Sequence, residues 1–412
     1  MGKPFVRLQE LRTFIQIVIL YHRLHNWIVS PTMGQLLSHP VEEKTIEGHS
    51  YETLTYCIGS MQGYRMTMED AHNTIINEQE LVAMFSVFDG HGGKLVSEYL
   101  SHHLPKSIFK ALNHYHRHLS ILTPPSLAHA REAGDDCGAN SQSQTAKNAS
   151  SAHSSGANRS HESHLQNYLD IIKNAFFKID SDLSNIDGLS NCGSTAIVTT
   201  VLQNRYIVVA NTGDSRCIFS LDGVAKTLSF DHKPILMNER IRIENSNGYV
   251  RNNRINEILA LSRAFGDFKF KTPVLDSTSN KYIIQNKSFF KNGLIDIPPE
   301  LFQVTVEPEF LVYDMKNQIL PEFIVLACDG IWDCYKNSRL VTIIRNKLGL
   351  GWKLSKIIEF ILHDCLSLAN NYTGIGFDNM TIIIVAIHPN NDIEEWYEHM
   401  VTKIQKEKGL VD

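Results

Sequence analysis

The 412-residue sequence predicts an α+β fold in which antiparallel sheets carry packed helices. Strand-like and helix-like patterns come in blocks with no strict β-α alternation, which disfavours a doubly wound sheet. Two apolar runs rich in β-branched and aromatic residues, Leu81 to Phe88 and Glu322 to Cys328, read as buried strands and both end in Asp-Gly, at Asp89-Gly90 and Asp329-Gly330. A composition of 43% hydrophobic and 9% aromatic residues is ample for a packed core. A strand-end carboxylate is a hard oxygen ligand of the kind Mg²⁺ or Mn²⁺ prefers, and the glycine beside it lets a ligand approach the main chain. The two aspartates are expected to hold metal between them.

The bulk numbers exclude other classes. A net charge of −5 and a pI near 6.4 give no basic surface for nucleic acid, so none is expected as a partner. The seven cysteines are odd in number, widely spread and free of any C-x-x-C pair. That usage points to a reducing compartment, cytoplasmic or also nuclear, and to no zinc ribbon.

Residues 1–32 differ in character from the rest of the chain. Lys3, Arg7, Arg12 and Arg23 flank a short apolar run, Phe14 to Leu20, that cannot span a bilayer. This stretch is expected to be an extension outside the fold. Met33-Gly34-Gln35-Leu36-Leu37-Ser38 fits the N-myristoylation pattern but lies internally, which suggests that translation can start at Met33. Acylation of Gly34 would then give at most weak membrane association, because a single myristoyl chain anchors marginally. Residues 33–55 are read as a lead-in to a catalytic domain over 56–388.

Tyr56 to Gly93 reads as strand, polar loop, strand, with Arg65, Glu69 and Asp70 in the loop, and helical patterns run on from Lys94 to about His118. Residues 123–163, rich in Ser, Ala, Asn, His and Gly, cannot bury enough surface to fold and are expected to be a disordered insertion. Leu165, Leu169, Ile172, Phe176, Ile179 and Leu183 then mark one apolar helix face. Strand patterns run over Thr195 to Leu202, Tyr206 to Ala210 and Arg216 to Ser220, and the turn Asn211-Thr212-Gly213-Asp214 predicts a hairpin carrying Asp214. A polar stretch from Asp231 to Arg254 leads to Ile258 through Asp267, and Asn- and Lys-rich residues 271–303 look like a second insertion. Helices are predicted over Ser338 to Lys347 and Ser355 to Asn370, a last strand over Met380 to Ile387, and a C-terminal amphipathic helix within 389–412 through Ile393, Trp396, Met400 and Ile404.

Acids at strand ends or in glycine-containing turns are Glu69, Asp70, Asp89, Asp214, Asp329, Asp333 and Asp378. Any one of them alone reads as solvated surface. Brought together they would repel and raise one another's pKa unless divalent metal sat among them. Two metals about 4 Å apart activate water and clamp the attacking and leaving oxygens of an in-line displacement at phosphorus, which points to phosphoryl hydrolysis. His102, His103, His114, His116 and His118 also invite a metal reading, since His114 and His118 share a helical face, but no second shell is suggested for them.

At this point the residues carry a resemblance. Gly63-Tyr64-Arg65-Met66-Thr67-Met68-Glu69-Asp70-Ala71-His72, Val87-Phe88-Asp89-Gly90-His91-Gly92-Gly93 and Asn191-Cys192-Gly193-Ser194-Thr195-Ala196 come first. After them come Gly213-Asp214-Ser215-Arg216, Asp231-His232-Lys233-Pro234, Leu261-Ser262-Arg263-Ala264-Phe265-Gly266-Asp267, Ala327-Cys328-Asp329-Gly330-Ile331-Trp332-Asp333 and Asp378-Asn379-Met380-Thr381. Together they resemble the metal-dependent type 2C serine/threonine protein phosphatases, in that family's order and across residues 56–388, with a spelling most like the fungal members.

The resemblance implies a four-layer αββα sandwich of two antiparallel sheets flanked by helices, with two Mg²⁺ or Mn²⁺ ions at one end. By matching positions, Asp89 would bridge both ions and Gly90 would offer its carbonyl. Asp329 and Asp378 would complete one shell, Glu69 and Asp70 the other, and Asp214 with Asp333 would form a third, weaker site. Arg65 would grip the phosphate and His91 would protonate the leaving oxygen. Phosphoprotein substrates and a monomeric state are expected. No cysteine begins a C-x5-R loop, so no covalent intermediate is expected. Where the family has an Asn-Gly turn, this chain has Asn256-Glu257, which loses a residue suited to positive φ and puts the shape of the flap and substrate preference in doubt. Two other readings share the fold, a phosphoprotein-binding pseudophosphatase and a hydrolase of small phosphate esters. The first would be signalled by lost metal ligands, and none is lost.

Overall fold

The computed structural model describes residues 36–122, 152–271, 290–291, 294–295, 297–316, 318–389 and 392–410. The expectations for 1–32, Met33 and Gly34, and for most of the two insertions, lie outside these residues.

Eleven main strands form two antiparallel sheets. In chain order they are β1 (Leu36–Ser50), β2 (Leu54–Arg65), β3 (Ala71–Asn77), β4 (Val82–Phe88), β5 (Ala196–Leu202) and β6 (Tyr206–Thr212). Then come β7 (Arg216–Leu221), β8 (Val224–Thr227), β9 (Glu309–Asp314), β10 (Phe323–Ala327) and β11 (Met380–Ile387). One sheet has the order β1-β2-β11-β10-β7-β8 and the other β9-β6-β5-β4-β3. Every pairing in both is antiparallel.

The layering follows from period-2 side-chain alternation on strands that are apolar on both faces. Along β10, Ile324 and Leu326 point into the space between the sheets, where they meet Phe85, Val87, Ile207 and Val209 of the other sheet. Phe323, Val325 and Ala327 point the opposite way, into a core with α5 (Asn337–Leu348), α6 (Leu354–Ser367) and α7 (Ile393–Glu407). The second sheet turns Met84, Phe88, Val198 and Val208 towards α1 (Leu95–Leu122) and α2 (Ala152–Leu183). The result is helix, sheet, sheet, helix, the predicted α+β sandwich.

Three expectations change. The segment read as a lead-in contains β1, which pairs with β2 from Leu36↔Arg65 to Ser50↔Thr55. Its largely exposed face and its charges at Glu42, Glu43 and Lys44 disguise a strand, but suit a sheet edge that must not recruit another chain. The predicted Asp214 hairpin does not form, because β6 and β7 lie in different sheets. The turn is real, with Gly213 at φ 115°, but it carries the chain across the sandwich. Finally, α2 starts at Ala152, inside the expected insertion, because Ala, Glu and His tolerate a helix beyond the apolar face that marks its packed part.

Beside the sandwich sits a small flap. Its core is Ile243 of α3 (Met237–Asn245) with Ile255, Leu259, Leu261, Ala264, Phe270 and Val304. Asn256 and Glu257 hold φ of 51° and 63°, and Ile258 N–H donates to Ile255 C=O at 2.9 Å. The left-handed turn thus persists with Glu257 where a glycine would be unstrained.

Candidate metal centre

One end of the sandwich opens into a cleft of about 580 Å³ between the strand ends and the flap. Each acid reaches it by the route its local sequence sets. Arg65 ends β2, Asp89 comes directly after β4, Asp214 lies in the crossing after β6, and Asp329 lies one residue beyond the end of β10 plus Cys328, opening the short helix α4 (Asp329–Trp332). Asp378 precedes β11. Arg65, Glu69, Asp89, Gly90, His91, Asp214, Asp329 and Asp378 all line the cleft. Asp70 lies beneath it, its Oδ2 accepting from Thr381 Oγ1 at 2.7 Å. Asp333 lies one turn after Asp329, exposed yet close enough to Asp214, Asp378 and Lys233 to feel their charge, and it does not line the cleft.

Two groups of potential ligand atoms within 4.8 Å of one another occur among the described residues, Asp70-Asp89-Cys328 and Asp89-Asp214-Asp329. Asp89 belongs to both. The histidines of α1 join neither; His114 and His118 meet edge to face with ring centroids 5.0 Å apart.

The electrostatics are those of carboxylates that outnumber their cations: Arg65 pairs with Asp378 and Lys233 with Asp214, yet Asp70, Asp89 and Asp329 remain raised. Burial pushes the Asp70 carboxyl up to about 7, with Asp378 adding to the rise against hydrogen bonds from Thr381 and Cys328. Burial raises Asp89 well above the usual range, as do Asp329, Asp70, Asp378 and Asp214. Asp329 is raised the same way by burial, Asp214, Asp378 and Asp333, against Lys233. Asp333 is raised by burial and by Asp214 and Asp378, while Lys233 and Arg216 oppose the rise. Protein donors offset little of this repulsion. Oxygen donors converging at this density fit divalent cations, and fit them better than a protein-only arrangement.

Second neighbours fix the acids in place. Asp89 N–H donates to Thr195 Oγ1 at 3.1 Å, and Thr195 N–H returns a bond to Asp89 C=O at 2.9 Å. Asn379 accepts from Glu69 N–H at 2.8 Å and donates to the carbonyls of Gln62 and Thr67, so it ties the loop after β2 to the start of β11. Arg65 donates to Asp378 Oδ2 at 2.6 Å. Burial works against its charge, but Asp378, Asp329 and Asp89 outweigh it and raise its pKa.

Two groups escaped the assignment of roles from sequence. Lys233 is ion-paired with Asp214, and although burial opposes its charge, Asp214, Asp329 and Asp231 hold its pKa above the ordinary value. Asp267, in the left-handed region at φ 50°, holds the ring of His91 with Oδ2 2.6 Å from Nε2. Both sit in motifs that carry the resemblance, but nothing in their spacing says which distant side chain they meet.

The model for the family described as "Protein phosphatase 2C" matches residues 54–152 and 130–372. Protein phosphatase 2C homolog 4 of Saccharomyces cerevisiae is 38% identical over 415 residues, covering 92% of this chain and 100% of that protein. Protein phosphatase 2C homolog 3 of Schizosaccharomyces pombe is 31% identical over 383 residues, covering 92% of this chain and 75% of that protein. Among solved structures, a serine-threonine phosphatase 2C from Toxoplasma gondii aligns with a TM-score of 0.58 at 18% identity, covering 84% of this chain and 99% of that one, a likeness of fold. With the motifs in order, the acids gathered at one end of an αββα sandwich and relatives of this similarity along almost the whole chain, the protein belongs to the protein phosphatase 2C family.

Proposed function

We propose that this phosphatase hydrolyses phosphoserine and phosphothreonine in proteins with two Mg²⁺ or Mn²⁺ ions held by Glu69, Asp70, Asp89, Gly90, Asp329 and Asp378, and a third, weaker site at Asp214 and Asp333. The observation that carries this reading is the double membership of Asp89, whose carboxylate lies within 4.8 Å of ligand atoms of both groups. A bridging ligand needs that position. When bound, the ions supply Lewis acidity, lowering the pKa of water and neutralising charge on the phosphoryl oxygens.

The chain's own residues do the rest. Arg65 lines the cleft with a fork of N–H donors, suited to phosphate oxygens, while Asp378 holds its plane. His91 carries a proton that Asp267 stabilises, and this proton serves the leaving serine or threonine oxygen. Asn379 and Thr195 keep Glu69 and Asp89 in register by backbone bonds. In this reading the catalytic unit spans residues 56–388 together with the edge strand before it. The protein works as a monomer on cytoplasmic and nuclear phosphoproteins, and only an acylated Gly34 would add weak membrane contact. Mass spectrometry of the native N-terminus checks the last point, an intact Met1 ruling it out.

The test of function is hydrolysis of a phosphothreonine peptide by purified protein. Turnover is expected with Mn²⁺, none in EDTA, and recovery when Mn²⁺ is returned. Full activity in EDTA, or a preference for nucleotides over the peptide, overturns the reading.

A further inference from the structure

The flap presents an apolar surface beside the cleft. α3 buries Glu239, Arg242 and Ile243 and leaves Met237, 71% exposed, and Ile241, 49% exposed, one above the other on its outer side. Ile235 and Leu236, also exposed, lie in the turn before the helix, where Leu236 N–H donates to the carbonyl of Lys233, a cleft residue. That turn is joined to the cleft wall, since Ser262 N–H donates to His232 C=O at 3.1 Å and Leu259 to Leu261 line the cleft. Tyr249 stands across from Asn256, which donates to its carbonyl at 2.9 Å, and the exposed Ile258 beside them is itself a cleft residue.

Polar groups at the edge are already matched. Arg240 pairs with Glu244 at 2.6 Å and Arg251 with Glu257 at 2.8 Å beside the apolar side chains, while Arg254, which donates to Ile258 C=O at 2.6 Å, stands at the cleft end. An exposed apolar patch rimmed by polar residues marks an interaction surface. Its two ends adjoin the cleft, one through the Lys233 turn and the other through Ile258, which places it within reach of residues flanking a phosphoresidue seated there.

We propose that Ile235, Leu236, Met237, Ile241, Tyr249 and Ile258 form a docking strip selecting phosphoprotein substrates with large apolar side chains a few residues from the phosphoserine or phosphothreonine. This rests on the phosphatase reading and names the substrate class within it. An extended peptide advances roughly 3.3 Å per residue, so the selected side chains lie within a few positions of the phosphoresidue. The neutral pairs flank the helix side of the strip, so selection there is by apolar contact.

The experiment compares full-length protein with Met237→Ser/Ile241→Ser, two positions that do not line the cleft. Both are assayed with Mn²⁺ on p-nitrophenyl phosphate and on two matched phosphothreonine peptides. One peptide carries Leu, Ile or Phe two to five residues from the phosphothreonine, and the other carries Ser there. Wild type is expected to favour the apolar peptide about tenfold in kcat/KM, and the double variant to lose most of that preference, through KM, with hydrolysis of p-nitrophenyl phosphate unchanged. Equal turnover of the two peptides by wild type, or an undiminished preference in the variant, overturns the docking strip and leaves the phosphatase reading standing. A wild-type dimer in gel filtration that the variant converts to a monomer also overturns it, a second copy then being the occupant. Absence of all turnover with Mn²⁺ removes the phosphatase reading and the strip with it.

Discussion

His91 Nε2 lies 2.6 Å from Asp267 Oδ2, and the carboxylate is almost fully enclosed while the imidazole reaches the cleft. Burial works against a charged His91, but Asp267, helped by Asp214 and Glu69, raises its pKa above the ordinary value. The protonated form is the active one if His91 serves the leaving group, so activity falls as pH rises through this raised pKa. Asp267→Asn removes the principal support and should move that alkaline loss to lower pH, with kcat down by roughly 10²-fold. A pH–rate profile of both proteins on a phosphopeptide checks it; a merely structural role would lower the rate without moving the profile.

Asp89→Asn should act in two opposite ways. Burial, and then Asp329 and Asp70, push the Asp89 carboxyl up, so the metal-free variant is relieved of a buried, repelled charge and should melt higher, by about 1–2 °C for ~1 kcal/mol in a domain of this size. Wild type should be stabilised by added Mn²⁺, by ~2.7 kcal/mol at a hundredfold excess over the dissociation constant, while the variant gains little. Thermal melts with and without Mn²⁺ read both effects, and the variant should be almost inactive. A variant that keeps the full Mn²⁺ shift would show that Asp89 is not the shared ligand.

The two sequence features that proved most informative were the apolar strands and the acids after them. Phe323 to Ala327 and Met380 to Ile387 were legible because both faces of these strands are buried, so their apolar character is continuous. Asp214 shows where local sequence stops informing. Asn211 to Asp214 specify a reversal, but the partners of β6 and β7 are set by strands elsewhere in the chain, Ala196–Leu202 and Phe323–Ala327. The same holds for β1, whose exposed charges hide its pairing with β2, and for Lys233 and Asp267, whose partners are remote. What sequence supplies is residue type and local turn chemistry; contacts across the sheets need the fold.

Glu239 joins the flap helix to the segment that leads through Arg263 towards Asp267. Its carboxylate receives Arg263 at 2.7 Å and Arg242 at 2.8 Å. Burial alone would raise its pKa, but the two guanidiniums outweigh it and bring it down to about 2 from 4.5. A depressed folded pKa stabilises above the unfolded value and is lost as pH falls through the folded one. Glu239→Gln should therefore cost about 3 kcal/mol at pH 7, and the gap to wild type should narrow between pH 4.5 and pH 2. Urea midpoints at pH 7, 5 and 3.5 measure it, and a gap independent of pH would mean that packing and not charge is lost.

Gly193 is a position at which a single methyl group would strike His91 and Asp267 directly. It pairs with His91 in a short antiparallel bridge and with Gly266 on its other side. A Cβ built there lies no more than 2.5 Å from Asp267 Oδ2 and His91 Nε2, the two atoms of the proposed proton-donor pair, so at least one of the two side chains must move. Gly193→Ala should therefore separate His91 from Asp267 and lower kcat at least as much as Asp267→Asn, with a stability loss of a few kcal/mol. Gly48→Ala is the matched control, since its Cβ would meet Tyr56 O at 3.4 Å and Cys57 Sγ at 3.6 Å, ordinary contacts on an edge strand. If Gly193→Ala folds with full activity, the His91–Asp267 contact can break without consequence and the role given to Asp267 fails with it.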